Sequence, residues 1–239
     1  MNEKHHNLQV KIGAILGYVN YIVKMVIQLL YVPIMLRYLD QNEYGVYQLV
    51  ASLISYLSLL NFGFGGAYLR FYAQCKNDCK KQEKVNGTFL LVFSFFSLLA
   101  LIVGMLITAN SNAILGNKLS ASELVLAKKL LAILTINMVL TFPISVFTSV
   151  VTAKEKFIFL RCLDLLRNIL NPFLVIFLLL LGYGSVGIVV VTTILTVFTG
   201  IVTIWYVKIK LKIKFDIRNF DFGLVKPVSY THLRAHETS

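Results

Sequence analysis

The sequence predicts an all-α integral membrane protein, a bundle of about six transmembrane helices. Three observations predict it. Hydrophobic residues make up 57% of the 239 residues and charged residues only 14%, too few charges to cover a water-soluble domain of this size. The hydrophobic residues come in blocks of roughly 20, the length that crosses about 30 Å of hydrocarbon at about 1.5 Å per residue. The cations between the blocks gather in alternate loops, the pattern of a chain threaded back and forth across a bilayer.

Six blocks can be marked, at residues 12–36, 44–60, 89–108, 124–151, 163–181 and 186–207. Lys76, Lys80, Lys81 and Lys84 lie between the second and third, in a basic segment that opens at Arg70. Lys154, Lys156 and Arg161 lie between the fourth and fifth, and Lys208, Lys210, Lys212, Lys214 and Arg218 follow the sixth. The alternate loops are poorer: Arg37 in the first, Lys118 with Lys128 and Lys129 around the third, and no cation over 182–185. This asymmetry places the amino terminus, both basic loops and the carboxyl tail in the cytoplasm, and an even number of crossings satisfies it.

The net charge of +12 would suggest a nucleic-acid partner in a soluble protein. Here the cations sit where a membrane orients them, so no nucleic acid is expected. The opening residues 1–11 are polar and weakly basic. The apolar stretch behind them is too long for a signal-peptide core and lacks a small-residue cleavage site, which makes it an uncleaved first helix. Cys75, Cys79 and Cys162 suit free thiols, with no disulfide framework. Cys75 and Cys79 have no third ligand nearby in their loop, so no metal and no other cofactor is expected.

Charge inside a bilayer costs from ~2.5 to more than ~10 kcal/mol, so each intramembrane ion needs a partner or water. Lys24 is the clearest case, about twelve residues and so roughly 18 Å into the first block. Asn20, Lys24, Gln28 and Tyr31 recur at helical spacing and share one face. Such a stripe is expected to line a cavity; the plainer reading is that Lys24 snorkels or pairs structurally. A second stripe, Asp164, Arg167, Asn168 and Asn171, marks the fifth block. Its position near a membrane face suggests a structural ion pair between Asp164 and Arg167, three residues apart. Pro143 and Pro172 lie inside blocks and are candidate bends. Gly63, Gly65 and Gly66 after the second block suit close packing or a hinge, with Arg70 just beyond at the rim or the cavity mouth.

No histidine lies in any block, no Ser/His/Asp set is visible, and Asp164 is the single acid plausibly within a span. An embedded hydrolase or transferase needs more acid–base equipment, so an enzyme is not expected. Residues 228–239 (VSYTHLRAHETS) depart from all that precedes them. They resemble translated read-through of a sequencing adapter, the alternative being a genuine polar tail. The chain thus divides into a six-helix bundle over 1–227 and a tail, non-native under this reading, over 228–239.

The run Tyr31, Pro33, Leu36, Arg37, Tyr38, Leu39, then Glu43, Tyr44, Gly45, Tyr47, then Leu57, Leu59, Leu60, Asn61, Phe62, Gly63 and Arg70, Phe71, Tyr72 resembles the start of Wzx-type polysaccharide flippases. These are lipid-linked oligosaccharide translocases of the multidrug/oligosaccharidyl-lipid/polysaccharide exporter superfamily. The resemblance is most specific over 17–72 and looser through Val207. Asp40 stands where the family usually has glycine, and Asn61 where it commonly has aspartate. The family has about twelve to fourteen spans in two similar halves, so this chain resembles the amino-terminal half of a two-bundle transporter.

The resemblance implies flipping of an undecaprenyl-pyrophosphate-linked oligosaccharide across the bacterial cytoplasmic membrane for surface polysaccharide synthesis. Its implied partners are the lipid-linked substrate, membrane lipids and the polysaccharide polymerase machinery. On that reading Lys24, then Arg70, are the candidates for pyrophosphate attraction, with Asn20, Gln28 and Tyr31 lining the same cavity. The alternatives are a multidrug or organic-cation exporter of the superfamily, which predicts intramembrane carboxylates, and a membrane scaffold or transferase in glycan assembly, which predicts a paired-acid or His/Asp motif at a membrane face.

Overall fold

A computed structural model describes residues 3–58, 64–75, 78–116 and 118–217. Among them the chain is all-helical: α1 (Glu3–Tyr38), α2 (Gln41–Ser58), α3 (Phe64–Gln74), α4 (Cys79–Ala109), the short α5 (Ser111–Leu115), α6 (Ala121–Ala153), α7 (Phe157–Leu180) and α8 (Gly184–Trp205), which runs into a π-helical turn over Tyr206–Lys210. Five stretches are long and apolar enough to span a bilayer: Leu8–Tyr38, Cys79–Ala109, Ala121–Ala153, Phe157–Leu180 and Gly184–Lys210. They match five of the six expected blocks. The remaining block, 44–60, falls mostly on α2, whose 18 residues include Gln41, Asn42, Glu43 and Gln48 and are correspondingly less apolar. The expected Asn61, Gly63 and the tail 228–239 lie outside the described residues.

The helices overrun the apolar blocks. The basic segment expected as a loop between the second and third blocks is largely helical, ending α3 at Gln74 and starting α4 at Cys79. Asp78 is the reason for the second boundary: its extended backbone and side chain, which accepts from the Lys81 amide at 3.1 Å, cap the first turn of α4. Ser120 and Glu123 form a reciprocal capping box that starts α6. Helix continues across Pro33, Pro143 and Pro172.

α6 is the axis of the bundle, packed on α4, α8, α2 and α3. Small residues let the backbones approach, as is usual where helices pair in lipid. Gly104 of α4 faces Thr135 of α6, and Gly200 of α8 faces Ile144 of α6, so closely that a Cβ at either glycine would collide. One core cluster joins Tyr68, Phe89, Phe93, Phe142, Val146 and Val150; another joins Val46 and Val50 of α2 to Leu130 and Leu131 of α6. α1 stands apart. It packs chiefly along α7, pinned by Met35 and Leu39 against Val175 and Leu179 at one end and by Gly13 against Phe157 at the other. Much of its remaining surface, including Ile15, Ile22, Met25 and Leu29, is exposed and apolar, as a lipid-facing helix requires.

Contacts between helix ends sort the charges. Gln82 at the start of α4 meets Lys154 at the end of α6, Asn86 meets Lys214 beyond α8, and Gly17 of α1 faces Arg161 of α7, whose Nε a Cβ at Gly17 would approach to 3.6 Å. The two basic loops and the exit from α8 therefore share one end of the bundle. At the other end Glu43 of α2 accepts from the backbone amide and hydroxyl of Ser185 at 2.6 and 2.7 Å.

Candidate functional site

The two polar stripes read from the sequence face each other along the α1–α7 seam. Asn20 is buried, with 7% of its surface exposed, and its Nδ2 donates to the backbone carbonyl of Arg161 at 2.8 Å. Asn168 Nδ2 donates to Asn20 Oδ1 at 3.4 Å. This clip satisfies polar groups that would otherwise oppose docking in lipid.

About one helical turn further along α1, a cavity of about 220 Å³ opens between α1, α7 and α8, lined by Lys24, Gln28, Tyr31, Arg167, Asn168, Asn171 and Thr192, with Ile27 and Pro172 as its apolar patches. Lys24 sits near the middle of the apolar span Leu8–Tyr38. Its side chain is exposed along α1, and no ion pair or hydrogen bond engages it among the described residues. The Tyr31 hydroxyl is buried without a hydrogen-bond partner among them. The lining contains two cations, three amides, two hydroxyls and no carboxylate. Such a set offers positive charge and hydrogen-bond donors to an anion, and gives a cation neutral oxygens but no countercharge.

The expected pairing of Asp164 with Arg167 persists as a through-space attraction, but neither side chain makes its contact with the other. Asp164 lies 3.7 Å from Arg161, on the preceding turn, with more than half of its side chain exposed. Arg167 turns the other way, into the junction with α8, where its Nη2 donates to Thr196 Oγ1 at 2.8 Å. The reason is that α8 supplies hydroxyl acceptors on that side of α7, while Asp164 faces outward. Arg70, expected near the cavity mouth, sits exposed on α3, which packs on α4 and α6, and does not line this cavity. Gly65 and Gly66 are inside α3, where the helix runs on.

Sequence reading missed three contributors: Thr192 and Thr196 of α8, and Asn137 of α6, whose Nδ2 donates to Thr193 and Thr196 at 3.3 and 3.1 Å. A signal existed in the threonines at 192, 196, 199 and 203, which fall on one helical face. Threonine hydroxyls in spanning helices usually bond back to the preceding turn, as these four do, so the face reads as neutral until a neighbour is seen against it. A second, open groove of about 430 Å³ lies along the seam toward the start of α1, lined by Gly13, Gly17, Tyr18, Tyr21 and Arg161.

Residues 11–229 match a family described as polysaccharide biosynthesis protein. Among solved structures, the chain is similar to an outward-facing multidrug resistance MATE family transporter of the MOP superfamily, at 18% identity and a TM-score of 0.68. It is also similar to a MOP superfamily transporter from Pyrococcus furiosus, at 18% identity and a TM-score of 0.63. Each superposition covers 90% of this chain and 50% of the other, so the chain spans about half the length of these transporters and shares their fold over that half. The sequence has no significant match among curated proteins.

Proposed function

From a chain that belongs to the polysaccharide biosynthesis protein family, we propose that it forms the first half of a flippase, which moves an oligosaccharide carried on undecaprenyl pyrophosphate from the inner to the outer leaflet of the bacterial cytoplasmic membrane. The observation that carries this reading is the mid-span cavity with Lys24 and no carboxylate in its lining. A diphosphate crossing hydrocarbon must exchange its water for fixed donors and positive charge. Lys24, Gln28, Asn168 and Asn171 supply both. The cavity holds about seven waters' worth of volume at about 30 Å³ each, enough for the phosphate head but not for a glycan. The sugars belong in the wider space between this bundle and a second one, opening to one side and then the other.

The basic end of the bundle faces the cytoplasm under this reading, with both termini on that side. Transport here rests on binding and shape change, with no bond made or broken. The polymerase that consumes the flipped oligosaccharide is the partner expected on the outer side. An exporter of organic cations would need acid in the cavity, and the carboxylate described on this seam, Asp164, is exposed and paired with Arg161.

The test is complementation of a flippase-deficient strain with the gene that encodes this chain. Lys24→Ala is expected to lower flipping by about tenfold or more, the worth of one charge-assisted contact, with Lys24→Glu lower still and both expressed normally. Near-normal flipping by Lys24→Glu overturns the reading.

A further inference from the structure

The groove toward the start of α1 adjoins a pair of opposite charges that the transport reading does not use. It is lined by the small residues Gly13, Ala14 and Gly17 of α1 together with Tyr18, Tyr21 and Arg161. Gly17 makes room for the guanidinium, whose Nε lies 3.6 Å from the place a Cβ would take. The seam is fixed on both sides of the groove, by Gly13 against Phe157 and by the Asn20 amide on the Arg161 carbonyl at 2.8 Å. Asp164 stands one turn along α7, its carboxylate 3.7 Å from Arg161 Nη1. The two side chains are 48% and 56% exposed, so protein covers neither charge. α7 starts at Phe157, which sets Arg161 about 6 Å and Asp164 about 10 Å from its basic end. The headgroup layer of a leaflet is roughly 5–8 Å thick, so the pair lies near the boundary between headgroups and hydrocarbon. Exposed charges at that boundary need polar solvation, and a lipid headgroup is what the bilayer offers there.

We propose that this groove binds a zwitterionic aminophospholipid of the leaflet on the basic side, with its phosphate at Arg161 and its ammonium at Asp164. The charge pattern selects the occupant. A headgroup that carries only a phosphate suits Arg161 but meets the Asp164 carboxylate as a like charge. An ammonium beside the phosphate turns that repulsion into a charge-assisted hydrogen bond. The contact with Asp164 engages only Nη1 of the guanidinium, which leaves donors of its fork for phosphate oxygens. Arg167 does not compete for the carboxylate by contact, because it is turned to Thr196 at 2.8 Å. Tyr18 and Tyr21, both largely exposed, present amphipathic rings of the kind that gathers at membrane interfaces. An acyl chain can lie along Gly13, Ala14 and Gly17, where no long side chain stands in its way. The site is separate from the cavity at Lys24 and does not depend on what the bundle transports. Its consequence is mechanical: α1, which packs chiefly along α7, is fastened there by a lipid as well as by protein.

The test is lipid titration of the 239-residue chain in detergent, read by native mass spectrometry, with a thermal midpoint recorded for each lipid. The probes are phosphatidylethanolamine, its monomethyl and dimethyl derivatives, phosphatidylcholine and phosphatidylglycerol. The wild type is expected to bind phosphatidylethanolamine about fivefold more tightly than phosphatidylcholine or phosphatidylglycerol. Within the methyl series the largest drop is expected at the last methyl, which removes the last N–H donor. Asp164→Asn is expected to erase the preference over phosphatidylglycerol or reverse it, since Arg161 then carries an uncompensated charge. Gly17→Leu, which fills the groove beneath the guanidinium, is expected to weaken every lipid by about fivefold. Phosphatidylethanolamine is expected to raise the midpoint of the wild type and to leave that of Asp164→Asn unchanged.

Equal affinity across the methyl series overturns the proposal. So does a wild type that prefers phosphatidylglycerol, which marks a plain anion site. A preference that survives both Asp164→Asn and Gly17→Leu places the lipid elsewhere on the bundle and overturns it as well. Should one variant fail to fold, the other decides together with the methyl series on the wild type.

Discussion

Two regions of this bundle are built from the same residue types and end in opposite states. At the basic end, where α3, α4 and α6 meet the segment leaving α8, the buried tyrosine and amide side chains find internal partners, although the buried Thr88 hydroxyl beside them has none among the described residues. Tyr68 donates to Asn86 at 2.7 Å, Asn86 donates to the Lys214 carbonyl at 3.2 Å, and Tyr72 donates to Gln82 at 2.8 Å. Lys154 reaches Gln82 at 3.3 Å and lies over the Tyr72 ring. The strap that follows α8 is pinned by the Asp216 amide on the Glu83 carbonyl at 3.0 Å and by Phe215 against Phe147. On the α1–α7 seam another tyrosine, lysine and glutamine line open space, and Tyr31 keeps a buried hydroxyl without a partner among the described residues. The difference teaches that polar side chains in a membrane bundle are informative where their circuit is left open. A closed circuit is architecture.

The comparison breaks most easily at Gly87. A Cβ there would strike the backbone of Asp216, which cannot rotate aside as a side chain would. Gly87→Val is expected to cost about 3 kcal/mol, the upper range of overpacking, and to free the strap. Thermal unfolding in detergent and proteolysis near residue 214 would register it, and an unchanged midpoint would mean that the strap is not held as described.

Asn86→Leu comes next. It strips a buried acceptor from Tyr68 and a donor from the Lys214 carbonyl, an expected loss of about 2 kcal/mol. Lys24→Met sharpens the contrast from the other side, because no internal bond is lost there. Its unfolding midpoint is expected to stay within about 0.5 kcal/mol of wild type, while affinity for a diphosphate lipid falls. A large loss of stability would move Lys24 into the architecture and out of the site.

The smallest effect concerns pH. The Lys81 amide bonded to Asp78 holds that carboxyl below its ordinary value of 3.8. A group with a depressed folded-state value stabilises at neutral pH, and its contribution fades as pH falls through that lowered value. Acid titration followed by helicity should show a slight early loss at the start of α4 that Asp78→Asn lacks. Identical curves would remove Asp78 from the cap.

The two stripes were legible in sequence because helical spacing places residues four apart on one face wherever the helix lies. That they meet across one seam was not legible, since spacing along a helix says nothing about its partner. Arg167 shows the limit most clearly. Its acid neighbour in sequence, Asp164, suggested an ion pair, and only the position of α8 turned the guanidinium to Thr196. Arg70 was open in sequence between the rim and the cavity mouth, and α3 places it exposed and outside the lining of this cavity.

By itself the sequence determined that the chain lies in a membrane, the apolar centres of five of its six blocks, and which loops gather positive charge, because length and transfer energy act on each segment alone. Only the tertiary structure decided which polar residues share a cavity, that the basic segment before α4 is mostly helix, and that the strap after α8 closes onto Gly87. Those outcomes depend on which helices touch, and contact between helices in lipid is settled by small residues and matched polar groups on surfaces the sequence does not pair in advance.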